Sequence, residues 1–294
     1  MSVIDCHVHL YPPAVNRAPA AWAAAHGEGH WAALCTRRRQ NGQAVQGFPS
    51  VTRLLRAMDA AGVARVVLLG WYWEHPASCA AHNRFFAKCV RAHPDRLAAF
   101  ATLHPAAGRE ATLQEVRRAH GEGLCGLGEL SPQSQGYGMD DPVFGAVLTL
   151  AAKLQLPVNL HVTDPASRSY PGKVETSLGD FTRLARKYPA TTFILAHWGG
   201  LLPLVDPKAR KLPNLFYDTA ASPLLYGEDV WRRFLSVVPK ERVLFGSDFP
   251  LNVYPRIDAQ PDMARMVTEV HRAGLTAEEL HAVVRANATR IIRW

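Results

Sequence analysis

No paired cysteines, no long apolar run and no extended block of one charge organise this sequence. Five cysteines (Cys6, Cys35, Cys79, Cys89, Cys125) are odd in number and lack metal-ligand pairing, which argues against a disulfide framework and fits a reducing cytoplasm. The longest apolar run, residues 66–73, is far shorter than the about 18 residues of a membrane span. The opening stretch Met1-Ser2-Val3-Ile4-Asp5 lacks the basic start and apolar stretch of a signal peptide. We therefore expect neither a membrane span nor a leader. There is also no low-complexity linker and no internal repeat by identity.

What is present is a chain of 294 residues, 48% hydrophobic and 20% charged, a balance that excludes disorder, collagen and coiled coil. Lysine and arginine number 33 against 25 acidic residues, a net charge of +8. That excess favours anionic substrates. The longest basic block is Arg37-Arg38-Arg39, so a solvated basic surface is expected rather than a phosphate-reading stripe.

Short β-rich apolar runs alternate with helix-period segments to the end of the chain. Strands are predicted at 3–10, 64–70, 97–104, 124–130, 157–162, 191–198, 215–219 and 242–248. Helices are predicted at 50–61, 77–92, 109–121, 141–154, 176–187, 229–238 and 260–273, with a short one near 201–211. Eight strand and helix units predict the α/β class, a (β/α)8 TIM barrel with helices outside, as a single domain over 1–294. Residues 12–49 form a long insertion after the first strand, with a helix near 19–25, and a loop of that length usually covers a site. Thr276 and Glu279 read as a capping box opening a last helix.

The first strand is polar where a barrel strand should be apolar. Period-two alternation puts Asp5, His7 and His9 on one face and Ile4, Cys6, Val8 and Leu10 on the other. Both faces of a parallel barrel are covered, so these polar groups need a partner, and two imidazoles at i and i+2 suit a divalent cation. The anomaly recurs late in other strands, at Glu129, His161, His197 and Asp248. C-terminal strand ends converge at the mouth of such a barrel, which makes one shared metal site of the six.

With these motifs the chain resembles the amidohydrolase superfamily. Within it, the resemblance is to the amidohydrolase-related group that includes aminocarboxymuconate semialdehyde decarboxylase. The resemblance rests on Ile4-Asp5-Cys6-His7-Val8-His9, Ala196-His197-Trp198-Gly199-Gly200, Gly246-Ser247-Asp248-Phe249-Pro250 and Ala286-Asn287-Ala288-Thr289-Arg290, and so spans nearly the whole chain. It implies metal binding by His7, His9, His161 and Asp248, with His197 catalytic beside a metal-bound water. Glu129 departs from the decarboxylase-like pattern. In members with a comparable glutamate it bridges two metals, and His161 and His197 then hold the second ion, so one or two metals per chain stay open. The resemblance also suggests that Asn287 helps pack the terminal helix under the barrel, and a homodimer is a common state among the proteins resembled.

Histidine and carboxylate donors suit Zn²⁺ first, with Mn²⁺ among the alternatives. The expected reaction is hydrolysis of a small anionic amide, ester or lactone by metal-activated water, with Asp248 carrying the proton and His197 polarising the carbonyl or orienting the water. Nonoxidative decarboxylation is the alternative, with His197 handling proton transfer to carbon. A metal-dependent deoxyribonuclease ranks lower, because the loop aromatics lack interleaved lysines. An inactive scaffold is disfavoured by the complete ligand set. Substrate contacts are expected from Trp71, Tyr137, Arg168, Trp198 and Arg256, with Tyr72, Trp73, Tyr170 and Tyr254 as further pocket aromatics. Asp218 either touches substrate or bonds loop amides. His26 and His30 are read as loop histidines, because Gly27 and Gly29 disfavour a helix through them.

Overall fold

A computed structural model describes residues 2–294, and Met1 of the opening stretch lies outside the described residues. Eight strands follow one another in the order of the sequence: β1 (Val3–His9), β2 (Val63–Leu69), β3 (Leu97–Ala101), β4 (Gly126–Leu130), β5 (Val158–Leu160), β6 (Phe193–Leu195), β7 (Leu215–Asp218) and β8 (Val243–Leu244). All neighbours in that order pair in parallel. The ring closes where Cys6 N donates to Phe245 O at 2.8 Å and Asp248 N donates to His7 O at 2.9 Å. The result is an α/β TIM barrel.

Four helices precede β2: α1 (Pro13–Arg17), α2 (Pro19–His26), α3 (Gly29–Cys35) and α4 (Val51–Ala61). The outer ring continues with α5 (Pro76–Ala92), α6 (Arg109–Gly121), α7 (Pro142–Leu154) and α8 (Leu178–Lys187). Then come α9 (Leu202–Val205), α10 (Pro207–Arg210), α11 (Ser222–Leu225), α12 (Val230–Leu235) and α13 (Met263–Arg272), followed by α14 (Ala277–His281) and α15 (Asn287–Ile291). Local chemistry explains their limits. Ser50 accepts from Arg53 N to open α4 and Gly62 closes it in the left-handed region, as caps require. Asp262 caps α13, whose buried Met263, Met266, Val267 and Val270 recur at helical spacing. The Thr276–Glu279 capping box is present, and Asn287 Nδ2 donates to Lys240 O and Val243 O, tying α15 beneath β8.

Several expectations need correction. The segment near 201–211 is two short helices because Pro207 starts a new one after Asp206. His26 and His30 are helical after all. Gly27, at φ 73°, ends α2 and lets α3 begin at Gly29, so the chain breaks between the two histidines instead of unwinding around them. In β1 the simple alternation fails. Its pairing with β2 shifts between Asp5 and Val8, an extra residue of the kind that defines a bulge. Ile4 and Cys6 therefore join the barrel interior with Val67, Phe100 and Ile194, whereas Val8 packs outward among helix residues. Asp5 is not turned toward the two histidines' ring nitrogens. Its carboxylate accepts from His7 N at 3.1 Å and Ser247 N at 3.0 Å, knitting β1 to the segment after β8.

The insertion wraps over the C-terminal end of the barrel. Trp31 and Cys35 from α3 pack with Tyr11, Trp71, Tyr72 and Trp73 in a separate aromatic cluster. Among the described residues no helix is long and apolar enough to cross a membrane.

Candidate metal centre and cavity

The ends of five strands bring six side chains together. His7 and His9 come from β1, Glu129 from β4, and His161, His197 and Asp248 from the turns after β5, β6 and β8. Two glycines make room for them. A Cβ on Gly246 would lie 2.7 Å from His7 Cβ, and Gly128, at φ 137°, passes so close to Asn159 that a Cβ would lie 2.7 Å from its backbone oxygen.

The imidazoles of His7 and His9 are oriented by what their Nδ1 nitrogens bond. His7 Nδ1 donates to Asp218 Oδ2 at 2.9 Å, and His9 Nδ1 donates to Leu69 O at 3.2 Å. That leaves the two Nε2 lone pairs facing each other at 3.2 Å, an arrangement that calls for a proton or a cation between them. Glu129 stands between two histidine pairs. Its Oε2 is 3.6 Å from His9 Nε2, and its Oε1 is 2.9 Å from His161 Nδ1 and 3.5 Å from His197 Nε2. Asp248 Oδ1 lies 3.7 Å from His7 Nε2 and 3.6 Å from His9 Nε2. Three ligand sets are close enough for a metal: His7, His197 and Asp248; His7, His9 and Glu129; and Glu129, His161 and His197.

The electrostatics point the same way. Glu129, Asp218 and Asp248 are buried, and no lysine or arginine is buried among the described residues to offset them. Burial drives His9 down to about 3, leaving a neutral imidazole with a lone pair to give. Burial also opposes charge on His7, but Asp218 outweighs it and holds that ring up at about 10. Burial pushes the Asp248 carboxyl up to about 6. Glu129 is buried as well, yet His161 beside it keeps its carboxylate well below the usual range. A divalent cation would neutralise this cluster, and the donor set of imidazoles and ionised carboxylates fits one.

A cavity of about 840 Å³ opens above the cluster. His9, Glu129, His161, His197 and Asp248 form its floor, and His7 lies beneath them. Trp71 and Tyr72 stack on each other at 4.4 Å and form one wall, 5.2 Å from the rings of His9 and His161 respectively. Arg37, Arg39, Arg168 and Arg256 line its upper part, with Tyr170.

Of the expected substrate contacts, Trp71, Arg168 and Arg256 line the cavity. Tyr137 does not. Its ring packs between His104 and Phe144, and its hydroxyl donates to Gln135 Oε1. Trp198 does not either. It is fully buried against Trp231 and Phe234, and its Nε1 donates to Ser222 Oγ. Both follow barrel strands, but backbone direction in the next few residues turns them outward. Trp198 stands at φ 57°, in a left-handed run that sends it behind β6. Trp198→Ala is therefore expected to cost about 3–5 kcal/mol of stability, read as a lower denaturant midpoint, without a specific change in substrate affinity. Trp73 Nε1 donates to buried His82, and Tyr254 faces a different cavity, so neither belongs to this wall.

The basic run of the insertion is the main omission. Arg38 is exposed, whereas Arg37 and Arg39 line the cavity, because the bridge between Arg38 and Ala44 makes this segment extended and alternating. Reading Arg37-Arg38-Arg39 as solvated surface fails for two of the three. Asp218 does bond loop amides, one of its two expected roles, and it also holds the His7 ring, with Asn159 beside it. Asp218 accepts from His7 Nδ1, Asn159 Nδ2, His197 N and Ala220 N, holding two ligand candidates in place. The same test of polar residues on buried strands would have marked both.

An amidohydrolase family model matches residues 4–294. No curated protein matches the chain in sequence. Among solved structures, it is similar to 5-carboxyvanillate decarboxylase from Sphingomonas paucimobilis at TM-score 0.75 and 19% identity, covering 99% of this chain and 98% of that one. It is also similar to 2,6-dihydroxybenzoate decarboxylase from Rhizobium, at TM-score 0.69 and 17% identity, over 99% of this chain and 98% of that one. A third is 5-carboxyvanillate decarboxylase from Novosphingobium aromaticivorans with manganese and 4-hydroxy-3-methoxy-5-nitrobenzoic acid, at TM-score 0.73, 14% identity and coverage of 98% and 95%. At these identities the likeness shows the fold. The expectation of hydrolysis is nonetheless corrected, because the activities named among these neighbours are decarboxylations. The expectation rested on Glu129, and a buried carboxylate among histidines sets where positive charge is held, not which bond breaks. The chain belongs to the amidohydrolase family.

Proposed function

We propose that this chain is a metal-dependent nonoxidative decarboxylase of a carboxylated, oxygen-substituted aromatic ring. The observation that carries this reading is one cavity joining three features: a floor of imidazoles and carboxylates, the stacked Trp71–Tyr72 wall and a ring of arginines. An aromatic acid matches all three, and the named activities of the similar structures are of that chemistry.

His7, His9, Glu129, His161, His197 and Asp248 would hold the divalent cation, Zn²⁺ or Mn²⁺, one or two per chain. When bound, it supplies Lewis acidity toward substrate oxygens. The chain's own residues do the rest. Trp71 and Tyr72 orient the ring, and the arginines hold the anion and raise its local concentration. The bond between ring carbon and carboxylate breaks, CO₂ leaves, and the electron pair stays on the ring carbon, which takes up one proton. Asp248 is placed to deliver that proton. Its carboxyl lines the cavity, whereas both His197 nitrogens face protein groups, Nδ1 toward Ala220 O and Nε2 toward His161 and Glu129. Walls of Trp71 and Tyr72 limit water near the carbanion-like carbon. The five cysteines are all free and buried, which supports work in a reducing compartment such as the cytoplasm.

The test is release of CO₂, counted as bicarbonate, from 5-carboxyvanillate, 2,6-dihydroxybenzoate and related carboxylated phenols by protein loaded with Mn²⁺ or Zn²⁺. Metal-dependent release from one of them is the expected result. Metal-loaded protein that releases none from the whole panel would overturn the reading. Within the same assay, Arg256→Gln is expected to raise KM about 3- to 30-fold with little change in kcat, since an anchor used equally in ground and transition states acts on binding.

A further inference from the structure

The loop after β8 touches the catalytic cavity with one side and is held by the other. Leu251, Pro255 and Arg256 line the cavity. Behind them, Arg265 of α13 grips Asp258 through two bonds, Nε to Oδ2 at 2.6 Å and Nη2 to Oδ1 at 2.8 Å. Its guanidinium also lies 5.4 Å over the Tyr254 ring, and the Tyr254 hydroxyl donates to Glu269. Arg265 and Glu269 border a separate small cavity and do not line the catalytic one.

From Asp258 the connection runs inward. Asp258 O accepts from Asn252 Nδ2 at 2.8 Å, and Asn252 is 1% exposed. Asn252 N donates to Val45 O at 2.9 Å, and Asn252 O accepts from Arg39 Nη2 at 2.9 Å. Gly47 N donates to Pro250 O at 2.8 Å and Asn41 Nδ2 donates to Pro255 O at 3.0 Å. Two segments remote in sequence, 39–47 of the insertion and 250–258, are thus bonded along their length. Arg39 is steadied at Nη2, while its buried Nε has no protein partner.

We infer that Asn252 and Arg265 are positioning residues that set Arg39 in the cavity through the bonded series Arg265, Asp258, Asn252, Arg39, so that the two roof segments move as one body. The inference rests on the proposed function only in giving Arg39 an anionic substrate to hold. An exposed ion pair alone contributes little. Here the pair is bidentate and fixes Asp258, whose carbonyl holds the side-chain amide of buried Asn252, and the Asn252 backbone bonds Val45 and Arg39 of the insertion, which is what allows a change on α13 to reach that segment.

The test uses the full chain loaded with Mn²⁺ and needs no substrate. Amide hydrogen exchange and phenylglyoxal labelling of Arg39, both located by mass spectrometry, are compared in wild type, Arg265→Met, Asn252→Ala and the swapped pair Asp258→Arg with Arg265→Asp. Arg265→Met is expected to speed exchange at Gly47 and Asn252, and labelling of Arg39, by about threefold or more, with β1 to β3 unchanged. Asn252→Ala should do the same, and the swapped pair should return both readouts to within about twofold of wild type. Faster exchange confined to 250–262, with 39–47 and Arg39 unmoved, would overturn the inference, as would no change in any variant. Should Arg265→Met not fold, Asp258→Asn interrupts the same series and is read the same way. Coupling without decarboxylation would reject only the proposed function.

Discussion

Asp248→Asn is expected to lower kcat by about 10²–10⁴-fold, the usual contribution of a positioned proton donor, while leaving the fold and substrate affinity nearly intact. Asparagine keeps the shape and an oxygen toward the cluster but cannot deliver a proton. The same variant carries a stability signature whose sign follows from burial. The Asp248 carboxyl is pushed up from 3.8 to about 6, so its contribution to folding is most favourable below pH 3.8 and is lost as pH rises through about 6. In chelated protein the neutral asparagine avoids that loss. Its Tm should exceed that of chelated wild type at pH 8, and the gap should shrink as pH falls below about 6. Thermal melts across this range measure it. Full kcat in Asp248→Asn would remove Asp248 from the proton step, whatever the melts show.

His7→Ala is expected to abolish turnover and to lower bound metal by at least one equivalent in elemental analysis of the purified protein. It should also lower stability, by about 3–5 kcal/mol, because Asp218 loses the buried partner that His7 provides at 2.9 Å. Asp218→Asn separates these effects. The ring stays, but the acceptor that orients it is weakened, and metal affinity should fall about 10- to 100-fold with activity recovered by excess metal. Competition with a chelator of known affinity gives the number. Unchanged metal content in His7→Ala would reject the metal centre. Counting metal in Glu129→Gln then shows how far the carboxylate between the two histidine pairs holds ions. A drop from two equivalents to one or none is the expected result for a bridge, and unchanged content would assign Glu129 to orienting His161.

Features written in short stretches of the chain are readable from sequence, and features set by contacts between distant segments are not. The barrel is legible because alternation of strand and helix is local, and parallel neighbours leave few other arrangements. The six candidate residues are legible as a group because polar side chains on barrel strands, or just past their ends, are costly to bury without a partner, and they recur there together. The reaction was not legible from Glu129, and the exposed appearance of Arg37-Arg38-Arg39 hid two cavity residues. The alternation of β1 misled at Asp5 because a bulge inserts one residue, and whether a bulge forms depends on the paired strand.

The sequence by itself determined the barrel class, the metal-ligating set His7, His9, Glu129, His161, His197 and Asp248 as a candidate, and the insertion over the mouth. Each follows from period, burial cost or strand order, which are properties of short stretches. Only the tertiary structure decided that Trp198 and Tyr137 pack away from the cavity, that Arg37 and Arg39 enter it, and that Asp218 supports His7. Those side chains sit on loops or reach across the barrel. Their directions are set by contacts between segments far apart in the chain, which no local pattern encodes.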